Sequence, residues 1–188
     1  MDPLLGIPVG LALSTAAGLR VFIPLLLTSF AARSGYLTLA PGMSWIASDA
    51  ALIAFATAAI VEIAAYYVPW LDNVADAIAV PAAITAGIIE MAAVTPELPP
   101  LLRWTVAVIA GGGIAGFAQL GTTLLRLKSS TLTAGIGNPV VATGELMGSL
   151  ALAVLGLLAP LVASVIVIIL LVVLARRLIR RRADLSPR

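Results

Sequence analysis

Three charged residues stand inside long apolar stretches of this chain: Arg20, Glu62 and Glu90. A charged side chain at the centre of a bilayer costs about 2.5–3.5 kcal/mol on insertion scales, so each must face protein or water. Arg20 is interpreted as an anion or lipid-headgroup contact, as the counter-ion of Glu62 or Glu90 in a gate, or as part of a fixed ion pair. The two glutamates are interpreted as proton carriers or as structural partners of an arginine.

The second half of the chain contains three further candidate site residues, Arg126, Asn138 and Glu145. Arg126 lies two residues from Lys128, so its side chain is expected to extend to the cytoplasmic interface, with a place in a pathway as the alternative. Glu145 follows a helix start at Asn138-Pro139 and is expected to complement the positive helix end, with a cation pathway as the alternative. The predicted transport-pathway or ion-binding set is Arg20, Glu62, Glu90, Arg126, Asn138 and Glu145.

Asp72 and Asp76 are four residues apart, so on a helix they share one face and could hold a cation. Their position after Pro69-Trp70 also suits the positive start of a helix. A DxxxD pair resembles magnesium-dependent lipid-phosphate transferases, but the glycine, arginine and further acid of such motifs are missing. Cysteine and histidine are absent, so no catalytic residue, resident metal or cofactor is expected, and the chain is not expected to be an enzyme.

The composition predicts an integral membrane protein. Hydrophobic residues make up 61% of the 188 positions and charged residues 11%, against about 25% charge in soluble domains. We expect an all-α polytopic bundle forming a single transmembrane domain over 1–188, with six spans, or five as the alternative. The predicted spans are 3–32 with a kink at Pro24, 50–68, 72–94, 103–126, and 139–175 divided at Pro160. The alternatives are a broken or re-entrant segment for 72–94 and a single tilted, kinked helix for 139–175.

The spans are joined by two predicted loops, the proline-rich segment 95–100 and the polar segment 128–138. Tyr66, Tyr67 and Trp70 are expected at the headgroup level. The basic tail, 176–188, predicts a cytoplasmic C-terminus and not a nucleic-acid site. With six spans the N-terminus is cytoplasmic as well.

Glycines recur at a spacing of four, which predicts close helix packing inside the chain or between subunits. Unwinding of a helix around an ion is the alternative. Because chains of this size often assemble, a homodimer or homotrimer is expected. The predicted packing glycines are Gly6, Gly10, Gly112, Gly116, Gly144 and Gly148.

A weak internal repeat links the two halves. Residues 10–20 (GLALSTAAGLR) and 116–126 (GFAQLGTTLLR) share four of eleven positions, and an acid follows in each half, Asp49 and Glu145. With three spans per half, the second half enters from the opposite side. The pattern predicts inverted repeats over 3–94 and 101–180, as in many transporters.

Three stretches carry a family resemblance: 16–33 (AAGLRVFIPLLLTSFAAR), 61–76 (VEIAAYYVPWLDNVAD) and 118–145 (AQLGTTLLRLKSSTLTAGIGNPVVATGE). They resemble the bacterial membrane family of domain of unknown function 4126. The resemblance covers most of the chain and implies a membrane protein without specifying an activity.

The residues therefore predict a small transporter or channel for an ion or small solute, in contact with the lipid bilayer. This prediction rests on the number of charged residues that lie inside apolar spans of so short a chain. Two alternatives remain: a non-transporting scaffold or accessory subunit, and a membrane-embedded lipid-modifying enzyme that uses Asp72 and Asp76.

Overall fold

The computed structural model describes residues 5–67 and 69–184, with the backbone alone at 69–77, 174 and 177–184. All regular secondary structure in these residues is helical and none of it is a strand, which confirms the predicted all-α class. The elements in chain order are α1 (Gly6–Ala17), α2 (Phe22–Arg33), a 3₁₀ turn (Ser44–Ala47), α3 (Asp49–Ala65), α4 (Pro69–Ala93), α5 (Pro100–Val106), a π-helical segment (Ala107–Gly112), α6 (Gly113–Thr133), α7 (Asn138–Leu158) and α8 (Pro160–Asp184).

Two of the described helices are long and apolar enough to cross a membrane. One is the continuous helix Pro100–Thr133, which joins α5, the π segment and α6, and the other is α7. The remaining apolar helical segments are shorter by this measure: Gly6–Ala17, Phe22–Arg33, Ile78–Ala93 and Pro160–Val173.

The predicted first span, 3–32, is wrong, because α1 and α2 form a hairpin. At the turn, Arg20 Nη2 donates to the Ala142 carbonyl at 2.8 Å, near the start of α7. The Cβ of an added side chain at Gly156, near the end of α7, would lie 2.7 Å from Ala12 in α1. Just past α2, Tyr36 Oη donates to the Leu157 carbonyl at 3.2 Å. Helix α1 therefore runs along α7 from the end of α7 towards its start, and α2 returns along α7 in the opposite direction.

Local sequence explains why the hairpin turns where it does. Gly18 lies directly against the Ala115 backbone of α6, so any larger residue would push the turn away from its support. Pro24 falls in the first turn of α2, where a missing backbone N–H breaks no intrahelical bond. Pro24 therefore lies at the start of α2 and does not form the predicted kink within a single span.

The contacts between helices fix their directions. Ser14 Oγ donates to the Gly87 carbonyl at 2.9 Å, and Gly6 lies against Val94, so α1 and α4 are antiparallel. Along the next pair, Gly111 faces Met91 and Gly116 faces Ile84, so α4 and α6 are antiparallel too. Segments 10–20 and 116–126 consequently run the same way, and an inverted relation between them is wrong.

The bundle has two ends. The amino end carries Gly6, the loop 94–99 and the start of α8, where Ser164 approaches the Pro8 carbonyl at 3.5 Å. The carboxyl end carries Tyr66 and the link 134–137 between α6 and α7. Helices α3, α4, α5–α6, α7 and α8 run between these ends, and the hairpin enters and leaves at the amino end. The predicted common side for both termini is therefore wrong, since Gly6 and the end of α8 lie at opposite ends.

The other predicted elements agree more closely with the structure. Helix α3 matches 50–68, and the chain divides at Pro160 as expected. Helix α4 continues through Pro81, so the broken alternative for 72–94 is wrong. Segment 95–99 is a loop, whereas the predicted loop at 128–138 begins only at Ala134, because α6 continues to Thr133. There Ala134 and Gly135 adopt left-handed φ angles of 51° and 87° and end the helix.

Glycine contacts bring α4 and α6 together backbone to backbone. The Cβ of an added side chain at Gly87 would lie 2.6 Å from the Gly111 carbonyl oxygen. Gly112 and Gly116 lie under Ile88 and Ile84 of α4, Gly6 and Gly10 of α1 lie against Val94 and Met91, and Gly148 lies under Leu19. Gly144 differs, because an added Cβ would meet no described atom within 4 Å.

This packing makes Gly111 and Gly113 a matched pair for mutation. We expect Gly111→Ala to lower the free energy of unfolding by about 1–3 kcal/mol, because the new methyl group would collide with the Gly87 backbone. Gly113→Ala meets nothing within 4 Å and should leave stability unchanged or raise it by up to about 1 kcal/mol. Thermal unfolding of the purified variants measures both. Equal stability of the two variants would contradict the close α4–α6 contact.

Candidate functional site

The tip of the hairpin places Arg20 inside the bundle, where 2% of its surface is exposed. Its Nη2 lies 3.2 Å from Glu145 Oε2 on α7. Arg126 on α6 is equally buried and binds the same carboxylate through two bonds, Nε to Oε1 at 3.0 Å and Nη2 to Oε2. One carboxylate therefore bridges two arginines and joins the hairpin, α6 and α7.

The ring of Tyr66 contacts both arginines. The guanidinium carbons of Arg20 and Arg126 are 3.9 and 4.0 Å from the centroid of its ring. An aromatic face attracts a cation by about 2 kcal/mol or more when the pair is desolvated. Tyr66 is buried against the arginines, and its location at the headgroup level stays a prediction.

These contacts correct two sequence interpretations. Arg126 does not extend to an interface, because Glu145 and Tyr66 bind it inside the bundle. Glu145 does not serve the positive end of α7, because it lies seven residues after Asn138 and the effect of a helix dipole is confined to the first turn. The glutamate that pairs with Arg20 is Glu145 and neither Glu62 nor Glu90.

Glu62 on α3 caps the second arm of the hairpin. Its Oε1 accepts the Val21 N–H at 2.8 Å and its Oε2 accepts the Phe22 N–H at 3.0 Å. The first N–H groups of a helix have no partner within the helix, and a carboxylate there also meets the positive end of the helix dipole. Among the described residues, no cation lies within 4 Å of the Glu62 carboxylate.

Glu90 on α4 occupies a separate place. It is fully buried, and Thr28 Oγ1 of α2 donates to its Oε2 at 2.8 Å. Its Oε1 has no hydrogen-bond partner, and no described cation lies within 4 Å. A carboxyl group in these surroundings is suited to hold a proton, since a buried charge without a counter-ion is costly.

One predicted residue, Asn138, does not join the cluster. Asn138 lies at the α6–α7 link, where its Nδ2 donates to Ser130 Oγ at 3.0 Å. The side chains of Asp72 and Asp76 lie outside the described residues, so the cation site remains a prediction. Elsewhere in the described part, no three acidic side chains come close enough to hold a metal ion.

The sequence interpretation missed Tyr66 and Thr28 as site residues. A signal was available for Tyr66, which follows Glu62 by four residues and so lies near the same helix face. Nothing in the sequence links Thr28 to Glu90, because 62 positions separate them and only the folding back of α2 brings them together.

The cluster has hydrogen-bonding capacity left for an anion. Arg20 Nε and Nη1 are buried and make no hydrogen bond in the described structure. Guanidinium N–H groups pair well with carboxylate and phosphate oxygens, often two at a time. The hairpin tip therefore holds a desolvated cation with two unused donors beside an acid that it shares with Arg126.

The family model for the domain of unknown function DUF4126 matches residues 7–181 of the chain. No curated protein and no solved structure matches the chain.

The bridging role of Glu145 has a stability consequence. We expect Glu145→Ala to lower the free energy of unfolding by about 3–5 kcal/mol, because it leaves two buried guanidinium groups without their anion. Asp49→Ala removes a surface pair, Arg33–Asp49, in which the acid is 82% exposed, and should cost no more than about 1 kcal/mol. Unfolding in a mild detergent measures both, and equal losses would contradict a buried bridge.

Proposed function

We propose that this chain, which belongs to the DUF4126 family, is a multi-pass membrane protein that transports an ion or small solute. The family is a domain of unknown function, so the support for this proposal comes from the residues of the chain itself. The observation that carries the proposal is the buried tip of the α1–α2 hairpin, where Arg20 meets Glu145 and Tyr66 inside the bundle. A charge placed there is expensive in lipid, and such residues typically serve pathways or relays.

The outer surface of the bundle supports a membrane location. Large apolar side chains are more than half exposed on several helices, among them Ile53, Ile60, Ile109, Leu161 and Val165. Apolar patches of this extent are unfavourable in water, whereas lipid chains satisfy them. The 61% hydrophobic composition agrees with that setting.

The hairpin fits a re-entrant element. Each arm has 12 residues and is about 18 Å long, against a hydrocarbon thickness of about 30 Å. Non-helical backbone at membrane depth is tolerated where protein buries it or where it lines a cavity. Arg20 and Val21 in the turn are buried. Transporters use interrupted helices in this way to bring helix ends to a substrate.

The cargo that this tip suits best is a small anion. An anion that reached Arg20 Nε and Nη1 would compete with Glu145 for that guanidinium. Arg126 would keep Glu145 in place through its own two bonds. The exchange of partners at Arg20 would loosen the hairpin from α7. Glu90 of α4, which accepts a hydrogen bond from Thr28 of α2, would carry a proton through the same movement.

Charge sets the orientation. Lys128 and the arginine-rich end of α8, which ends at Asp184, belong to the carboxyl end of the bundle, so this end faces the cytoplasm of a bacterial inner membrane. The N-terminus then faces outward.

Gly144 on α7, which meets no described atom, is available for contact with a second copy in a dimer or trimer.

The opposite location of the two ends can be tested with single cysteines, since the natural chain has none. We expect Glu97→Cys, in the amino-end loop, to react with a membrane-impermeant maleimide in intact cells. Lys128→Cys should react only after the membrane is permeabilised. Both positions are exposed, so lack of labelling reports sidedness and not burial. Labelling of both from the same side would overturn the orientation.

Transport itself is tested by flux into liposomes that contain the purified chain. We expect wild-type protein to conduct at least one member of a panel of halides, phosphate, small carboxylates and protons. Arg20→Gln and Glu62→Gln should reduce that flux at least about tenfold, equivalent to about 1.4 kcal/mol. Asp49→Asn, on the exposed surface pair, is the control and should keep the wild-type rate. Empty-vesicle rates for wild type across the whole panel would refute transport.

One observation favours a second function, a non-transporting scaffold or accessory subunit. Glu145 is fully engaged by two arginines, as expected of a structural ion-pair network. Co-purification of a stoichiometric partner, together with empty-vesicle flux, would favour this function. The third function, a lipid-modifying enzyme using Asp72 and Asp76, receives no support from the described residues and remains a prediction.

A further inference from the structure

A cavity of about 200 Å³ lies between α3 and α4, beside the start of α2. Four alanines leave this space open: Ala58, Ala65, Ala79 and Ala82. Val61 and Ile78 line it as well and are 61% and 63% exposed, so the cavity communicates with the side of the bundle. Its volume is below the roughly 300–1,000 Å³ of typical ligand pockets, which restricts an occupant to a compact molecule.

Of the described side chains that line this space, one is charged and most of the others are apolar. Glu62 borders the cavity together with Tyr66. Each Glu62 oxygen accepts one backbone N–H, and a carboxylate oxygen can accept a second hydrogen bond. The nearest arginine in the cluster, Arg20, pairs with Glu145 and not with Glu62.

The remaining charge on Glu62 is only partly compensated. A helix N-terminus contributes roughly half a positive charge, whereas a carboxylate carries a full negative one. The ring of Tyr66 already contacts two guanidinium groups, those of Arg20 and Arg126. Among the described side chains that line the cavity, Glu62 is therefore the partner for a cation that enters it.

We propose that this cavity binds a compact hydrophobic amine in its cationic form, with the ammonium group on Glu62 and the apolar body among the alanines. Charge complementarity favours this occupant over a neutral hydrocarbon, which could not donate a hydrogen bond to the Glu62 carboxylate. It also favours the amine over an anion, because Glu62 would repel a negative charge. Charge-assisted hydrogen bonds are about twice as strong as neutral ones. The site goes beyond the proposed transport function, since binding here requires neither movement of the hairpin nor release of Arg20.

The experiment uses 1-aminoadamantane as the probe, a compact apolar cage with one ammonium group, and 1-adamantanol as its neutral counterpart. Both are titrated into the full chain in detergent by calorimetry, with empty micelles subtracted. We expect saturable binding of the amine and binding of the alcohol that is at least about tenfold weaker. Glu62→Gln should weaken the amine at least about tenfold and bring it close to the alcohol.

A second variant fills the cavity without changing its charge. Ala58→Phe on α3 should abolish binding of the amine, whereas Ile53→Phe on the exposed surface of the same helix should leave its affinity unchanged. Asp49→Asn, which removes an exposed acid, should also leave it unchanged. All variants are first checked for native helix content and monodispersity.

Three results would overturn the proposal: equal affinities for the amine and the alcohol, full affinity in folded Glu62→Gln, or the absence of saturable binding to wild type. None of them bears on anion flux, which is measured separately and depends on Arg20. Conversely, amine binding by a chain that transports nothing would support this site and refute only the transport function.

Discussion

The turn between α1 and α2 depends on a carboxylate from another helix. Once the chain stops being helical around Arg20, the first N–H groups of α2 need acceptors, and at this depth water is not freely available to provide them. Glu62 supplies both of its oxygens to Val21 and Phe22. The hairpin can therefore fold back within the bundle because α3 runs past its tip and delivers one acid there.

The same turn brings a cation into the interior, and the other elements accommodate it. Arg20 is balanced by Glu145, shared with Arg126, and by the face of Tyr66. These partners come from α7, α6 and the end of α3, so the ionic contacts tie the hairpin to three separate helices. Gly87 on α4 and Gly111, Gly112 and Gly116 on the helix opposite allow these two helices to approach closely.

The two acids that are not in this bridge have different chemistry. Glu90 is sealed between α2 and α4 with a threonine as its hydrogen-bond partner, whereas Glu62 reaches a cavity that communicates with the side of the bundle. One is suited to a proton and the other to a cationic group. Identical side chains thus acquire separate roles from burial and neighbours alone.

The sequence by itself determined the helical class, the apolar character, the division at Pro160 and five of the residues that matter most, Arg20, Glu62, Glu90, Arg126 and Glu145. Hydrophobic runs and isolated charges are local properties, so these features could be read directly. Only the tertiary structure decided that 3–32 folds into a hairpin and that Arg20 pairs with Glu145. The reason is physical: the turn is stabilised by Glu62 and the pairing by Tyr66 and Arg126, and none of these partners is close to Arg20 along the chain.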